Sequence, residues 1–168
     1  MKTNRHINKV AVVGSGIMGS RIACHFANIG VEVLLLDIVP FSLTEKEEAK
    51  GLTLQDKVVR NRLVNDALAT SIKSKPAPLY HKKFASRITT GNLEDDIEKV
   101  ASVDWIIEVV VERLDIKKQV FEKLEKYMKF FSSYRSLNSY QLQEPTDSGF
   151  SLKEIEKITR IKDMFIED

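Results

Sequence analysis

The sequence is poor in the residues from which many sites and scaffolds are built. Its 168 residues include one cysteine, Cys24, and three histidines, His6, His25 and His81. One thiol excludes an intramolecular disulfide and a thiolate zinc site, and makes a reducing compartment the simpler setting. The histidines are scattered along the chain, so no metal is expected. No stretch approaches the roughly 20 apolar residues needed to cross a bilayer, so no membrane span is expected. Basic residues precede the first apolar run, but that run is short, is followed by glycines and lacks a small-residue cleavage site. It therefore reads as the start of a fold and not as a signal peptide, and the expected location is cytoplasmic. Neither sign of charge dominates: 26 Lys+Arg face 24 Asp+Glu. That excess does not imply a nucleic-acid or membrane-surface partner, although a pI of about 8.6 tolerates an anionic ligand.

What is present suits one soluble domain with a real core, since 43% of the residues are hydrophobic. Lys9-Val10-Ala11-Val12-Val13 is continuous, apolar and β-branched, the pattern of a parallel strand buried on both faces. Over residues 17–29, Met18, Ile22, Phe26 and Ile29 recur at helical spacing, and Gly30 follows as a C-terminal stop. Glu32-Val33-Leu34-Leu35-Leu36-Asp37 returns to an uninterrupted run, which completes a βαβ unit.

Residues 41–83 form a long charged insertion. Leu54, Val58, Val59, Leu63 and Leu68 fit one amphipathic helix, with a shorter helix before Gly51 and an end at Pro76 and Pro78. Residues 87–90 predict a third strand, Asn92 or Asp95-Asp96 opens a brief helix through Ile97 and Val100, residues 104–111 predict a strong fourth strand, and residues 115–127 another helix. Residues 130–145 lack any apolar run and read as loop. Ser151 and Glu154 fit a capping box at the head of a helix over residues 151–165.

The chemistry concentrates after the first strand. Gly14-Ser15-Gly16-Ile17-Met18-Gly19 places G-x-G-x-x-G between a strand and a helix, and Asp37 ends the next strand. Gly14 permits the tight turn, Gly16 lets the backbone approach a pyrophosphate, and Gly19 lets the helix pack on the strand. The free N–H groups of the helix start then face the anion. Asp37 suits a ribose diol and repels a 2′-phosphate, and Ile38-Val39-Pro40-Phe41 offers no cation to welcome one, so NAD is favoured over NADP. FAD uses the same fingerprint and stays open as an alternative. Gly14, Gly16, Ile17, Met18, Gly19 and Asp37 are thus candidate cofactor-binding residues. Glu112 falls just beyond the fourth strand, beside the switch point of such a sheet, and Lys117 stands in the next helix. By composition alone, Glu112 is an exposed strand-end acid and Lys117 a solvated helix residue.

The glycine motif, Asp37, the insertion, and Asp104-Trp105-Ile106-Ile107-Glu108-Val109-Val110-Val111-Glu112 followed by Lys117 and Phe121 together resemble the NAD-binding domain of L-3-hydroxyacyl-CoA dehydrogenases over residues 10–127. The resemblance implies that Met18, Asp37, Val110, Val111, Glu112 and Lys117 line an NAD site. It implies that residues 41–83 lie over an acyl-CoA substrate, and that the reaction is oxidation of a 3-hydroxyacyl-CoA to the 3-ketoacyl-CoA in fatty-acid β-oxidation. The family continues with a further strand, a catalytic histidine and an all-helical dimerisation domain. None of that follows here, and neither His6, His25 nor His81 matches the family's base, so no catalytic residue is assigned. Asn138-Ser139 is a faint echo of a family segment and is given no role.

The expected architecture is a partial Rossmann-like, doubly wound parallel α/β sheet of order 3-2-1-4, with a helical hairpin inserted after strand two. Residues 1–131 are assigned to the dinucleotide-binding domain and residues 132–168 to a divergent tail, as in a truncated or frame-changed fragment. The free edge of strand four, exposed or covered by the tail, favours self-association. Lys46, Lys50, Lys57, Arg60 and Arg62 read as a solvated face interleaved with acids, with the phosphates of CoA as the competing reading. Cys24 and Trp105 read as core. Two functions follow: the cofactor half of an NAD-dependent 3-hydroxyacyl-CoA dehydrogenase, inactive alone, or a non-catalytic dinucleotide-binding fragment.

Overall fold

The continuous apolar runs become the middle of a parallel sheet. The computed structural model describes residues 7–127 and 133–136. Strand β1 (Lys9–Val13) leads into helix α1 (Ile17–Asn28), and β2 (Glu32–Asp37) follows. The insertion holds α2 (Glu45–Glu48), α3 (Lys57–Arg60) and α4 (Arg62–Lys73). Then come β3 (Ile88–Asn92), β4 (Trp105–Glu108), α5 (Leu114–Glu125) and β5 (Ser133–Ser136), with 3-10 turns at Lys82–Arg87 and Ile97–Ser102. The sheet order is β3-β2-β1-β4-β5 and every pairing is parallel.

Alternation along the strands sends side chains into two separate cores. Ala11, Val13, Leu34, Leu36 and Ile106 point to one side, where Val120 and Leu124 of α5 cover them. Val10, Val12, Val33 and Leu35 point to the other, against Ala23, Cys24 and Ala27 of α1 and Val64 of α4. Both faces are buried, which is why these strands carry no polar alternation. Cys24 is fully buried, and burial pushes its thiol up, as befits a packed residue and not a nucleophile. The half-buried Trp105 stacks edge-on against Phe26. At the start of the sheet, the Asp104 carboxylate accepts the backbone N–H groups of Asn8 (2.8 Å) and Lys9 (3.0 Å).

Several expectations need correction. The predicted order 3-2-1-4 is present, but β4 does not end the sheet. Residues 133–136, expected to be loop, pair with it in the register Trp105↔Ser133 to Glu108↔Ser136. The β4 edge is therefore covered by residues of the tail, the second of the two arrangements expected for it. An edge strand is held by backbone bonds on one side, so it needs no apolar run to reveal it. Strand four also stops at Glu108, three residues short of the predicted Val111. The Val109 N–H still reaches Val13 O at 2.8 Å, but the Val110 N–H turns back to the Glu108 carboxylate at 2.6 Å.

The insertion is helical but not one amphipathic helix. Leu54 lies outside any helix, and Asn61 separates α3 from α4 at φ −101°, ψ 9°. The break has a tertiary cause: the buried Asn61 side chain accepts a hydrogen bond from Asn92 Nδ2 at 2.8 Å. Next to it, Arg60 bonds Asp95 through Nε (2.6 Å) and Nη2 (2.8 Å), and Glu94 through Nη2 (2.8 Å). Arg62 pairs with Glu47 and with the Ser42 carbonyl. Arg60 thus docks the insertion onto the segment after β3, Arg62 ties the parts of the insertion to one another, and the solvated-face reading fails for both. The predicted helix over residues 151–165, Asn138-Ser139 and His6 lie outside the described residues.

Candidate functional site at the carboxyl edge of the sheet

The first turn of the motif is built by two glycines that no other residue replaces without strain. Gly14 has φ +103°, and a Cβ on it would stand 2.7 Å from the Val109 carbonyl oxygen. A Cβ on Gly19 would stand 1.8 Å from the Gly14 carbonyl oxygen, so α1 lies against the end of β1 only because position 19 has no side chain. Gly16 differs: a Cβ there would meet nothing within 4 Å. Two glycines make the turn and the third leaves a space in front of it.

That space lies at the start of α1. The helix begins at Gly16 with no side-chain cap and no acid in its first turn. The N–H groups of its first turn have no intrahelical carbonyl to bond, and they are the positive end of the helix dipole. Ile17 (83% exposed) and Met18 (59%) stand out into solvent beside them.

Asp37 closes the other side. Its Oδ2 accepts the Ser15 N–H at 2.7 Å and also the Ser15 hydroxyl, while Oδ1 accepts the Ile38 N–H at 2.7 Å. The carboxylate therefore ties the end of β2 to the glycine turn. Ser15, itself buried, is a site residue that the sequence reading passed over. Its signal was the hydroxyl between the first two glycines. A carboxylate has about four lone-pair positions, so these three bonds leave room for a further donor.

Beyond β4, Val110 packs partly into the core, while Val111 and Glu112 are exposed. Because β2, β1 and β4 are adjacent and parallel, Asp37, the glycine turn and residues 110–112 all emerge at one edge of the sheet. The large apolar side chains exposed at that edge include Ile17, Met18, Ile38, Phe41, Val111 and Leu114.

Lys117 is not a solvated helix residue. It is 1% exposed and lies with Val120 and Leu124 on the buried stripe of α5. Its Nζ stands 3.5 Å from Glu108 Oε2, and it donates no hydrogen bond to a described residue. Glu108, at 0% exposure, is a second site residue missed in the sequence. An acid inside a buried strand, nine residues before a lysine at core spacing, was the legible sign.

The histidines lie elsewhere. His25 is exposed on the later half of α1, about 12 Å along the helix from its start. His81 precedes the 3-10 turn, where its Nδ1 accepts the Lys83 N–H at 3.1 Å. A concavity of about 290 Å³ lined by Lys9, Glu32, Arg87 and Lys99 involves none of the predicted site residues. Among the described residues no set of three His, Cys, Asp or Glu side chains is placed to hold a metal, and no helix is long and apolar enough to cross a membrane.

The sequence profile described as "3-hydroxyacyl-CoA dehydrogenase, NAD binding domain" matches residues 9–133. The chain is 56% identical to a probable 3-hydroxyacyl-CoA dehydrogenase of Bacillus subtilis over 126 residues, which are 75% of this chain and 16% of that protein. A probable 3-hydroxyacyl-CoA dehydrogenase of Deinococcus radiodurans is 42% identical over 123 residues, 73% of this chain and 32% of that one. The chain thus spans well under half the length of either relative. Among solved structures, 3-hydroxybutyryl-CoA dehydrogenase from Escherichia coli superposes with a TM-score of 0.51 at 25% identity, over 80% of this chain and 25% of that one. The match to an NAD binding domain decides between the two cofactors that the glycine fingerprint allows. The chain belongs to the 3-hydroxyacyl-CoA dehydrogenase family and carries its NAD-binding domain.

Proposed function

We propose that this chain binds NAD across the carboxyl edge of β2, β1 and β4 and is the cofactor half of a 3-hydroxyacyl-CoA dehydrogenase. The observation that carries the proposal is the contrast among the three glycines. Gly14 and Gly19 are filled by backbone, whereas Gly16 opens on empty space at an uncapped helix start. A diphosphate fits that cradle, held by the amides of Ile17, Met18 and Gly19. Asp37, already oriented by Ser15, takes the adenosine ribose. Val110, Val111, Glu112 and Lys117 serve the other half of the dinucleotide. The Lys117 Nζ supports this: it stands 3.5 Å from Glu108 Oε2 but donates no hydrogen bond to a described residue, and a buried ammonium with donors to spare is costly unless a ligand completes it. The exposed apolar side chains of Ile17, Met18, Ile38 and Val111 give the bound rings an apolar surface.

NAD, when bound, supplies the hydride acceptor for oxidation of a 3-hydroxyacyl-CoA to the 3-ketoacyl-CoA. The chain's own contribution is to bind and orient the dinucleotide. A base is also needed for the hydroxyl proton. His25 and His81 are too far from the glycine turn by fold position to be that base, so the isolated chain is expected to be inactive. The expected boundary at residue 131 falls just short of β5, which pairs with β4 and so belongs with the dinucleotide-binding unit; the residues after it we assign to a tail that diverges from the family, as in a fragment. An acyl-CoA partner lying against the insertion, and a cytoplasmic setting for the free buried Cys24, belong to the same proposal.

Calorimetric titration of the purified chain with NADH and NADPH tests it. Saturable heat with NADH and at least tenfold weaker binding of NADPH are expected. Absence of heat with either nucleotide, on material whose circular dichroism shows a folded protein, refutes the reading.

A further inference from the structure

We infer that Glu108 is a positioning residue for the half of the dinucleotide that lies beyond the diphosphate, acting through Lys117 and the β4–α5 turn. The inference rests on the NAD site proposed above. Glu108 is wholly buried at the last position of β4, paired in register with Val13 at the end of β1. Its carboxylate reaches in two directions. Oε1 accepts the Val110 N–H at 2.6 Å, and Oε2 stands 3.5 Å from Lys117 Nζ. One side chain therefore fixes both where the chain leaves the sheet and where the buried ammonium points. The segment between these anchors, residues 110–116, includes Val110, Val111 and Glu112.

No acid is needed inside a sheet for packing. A leucine would fill the place without the desolvation that a carboxylate and an ammonium both suffer. The charged pair is explained if the ammonium is held ready for an acceptor that arrives from outside. Lys117 has three N–H donors, and none of them makes a hydrogen bond to a described residue. The strand order says which part of the ligand this concerns. Asp37 and the glycine turn belong to β2 and β1, on the adenosine side, whereas Glu108 and Lys117 lie on the β4 side of the switch point. Glu108 should thus matter to the intact dinucleotide and not to its adenosine diphosphate half.

The test compares E108Q with the native full chain in calorimetric titrations with NADH and with ADP. NADH affinity is expected to fall at least tenfold in E108Q, with ADP affinity unchanged within twofold. Equal losses for both ligands would mean that Glu108 is merely structural, and an unaltered NADH affinity would mean that it positions nothing; either result overturns the inference. Should E108Q not fold, E108D keeps the charge and draws the carboxylate back by one methylene. A loss for NADH at least threefold greater than for ADP then supports the inference, and equal losses overturn it. If the native chain binds ADP but not NADH, or neither, the proposed function has failed before the variant is considered.

Discussion

Replacing Gly16 by alanine separates ligand binding from folding more sharply than any other change at this site. Gly16 has φ −53°, which any residue adopts, and its added methyl would meet nothing within 4 Å. The fold should therefore tolerate it. Surface changes away from special features stay within about 0.5 kcal/mol, and a strain-free Gly→Ala change adds about 0.4–1 kcal/mol of stability by restricting the unfolded chain. The methyl, however, fills the space proposed for the diphosphate. Hydrogen bonds to a charged group are worth about 1.5–3 kcal/mol, so losing one weakens NADH by roughly 10- to 150-fold. The control is Gly19→Ala, whose methyl would lie 1.8 Å from the Gly14 carbonyl oxygen. It must push α1 off β1, at a cost of about 1–3 kcal/mol or more. Thermal melts and NADH titrations on both variants give opposite patterns: Gly16→Ala melts like the native protein and binds poorly, while Gly19→Ala melts early. Native-like NADH affinity in Gly16→Ala would show that no phosphate occupies the cradle, and the cofactor geometry proposed here would have to be abandoned.

Asp37→Ala should weaken NADH at least tenfold and narrow its margin over NADPH, since it removes both the ribose acceptor and the charge that repels a 2′-phosphate; an unchanged NADH/NADPH ratio in paired titrations contradicts this. Lys117→Met removes the buried ammonium that stands 3.5 Å from Glu108 Oε2 and should cost about 3–5 kcal/mol in urea unfolding, whereas a loss under 1 kcal/mol would show that the pair is not buried as described. Acid should loosen the insertion before the sheet. The Arg60 hydrogen bonds, and then that from Asn92, hold the Asp95 carboxyl below its ordinary value, so this contribution is complete above the unfolded value near pH 3.9 and is lost as pH falls through the lower folded one. Amide exchange of α3 and α4 followed below pH 4 reads it, and Arg60→Met should remove the acid-dependent step; persistence of that step in the variant rules out Asp95. Leu36→Ala, at a fully buried position in β2, should cost about 2–5 kcal/mol in the same unfolding assay.

The central strands were legible because a parallel sheet covered on both faces needs continuous apolar runs, and β1 and β2 have little else. The glycine turn and Asp37 were legible for a related reason, since backbone crowding at Gly14 and Gly19 leaves glycine no substitute. The Glu108–Lys117 pair was only half legible. Lys117 obeys the spacing of Val120 and Leu124, but a charged residue at that spacing is usually taken as the border of a helix face, and its burial depends on a partner from another element. The break at Asn61 and the docking of Arg60 were hidden because their partners, Asn92, Glu94 and Asp95, lie some thirty residues away. β5 was hidden because a strand at a border can be written in almost any composition.

The two-sided oiliness of β1 and β2 has one more consequence. In a half-exposed strand, a slip of one residue drives polar groups inward, and water thereby polices the alignment. Here a slip would merely exchange Val10 and Val12 for Ala11 and Val13, one hydrocarbon set for another. Alignment must then be dictated from the ends: by Asp104 clasping two successive amides at one terminus, and by the glycine bend, with room for a single backbone path, at the other. The bend that shapes the nucleotide cradle thus also serves as the ruler by which the sheet is assembled.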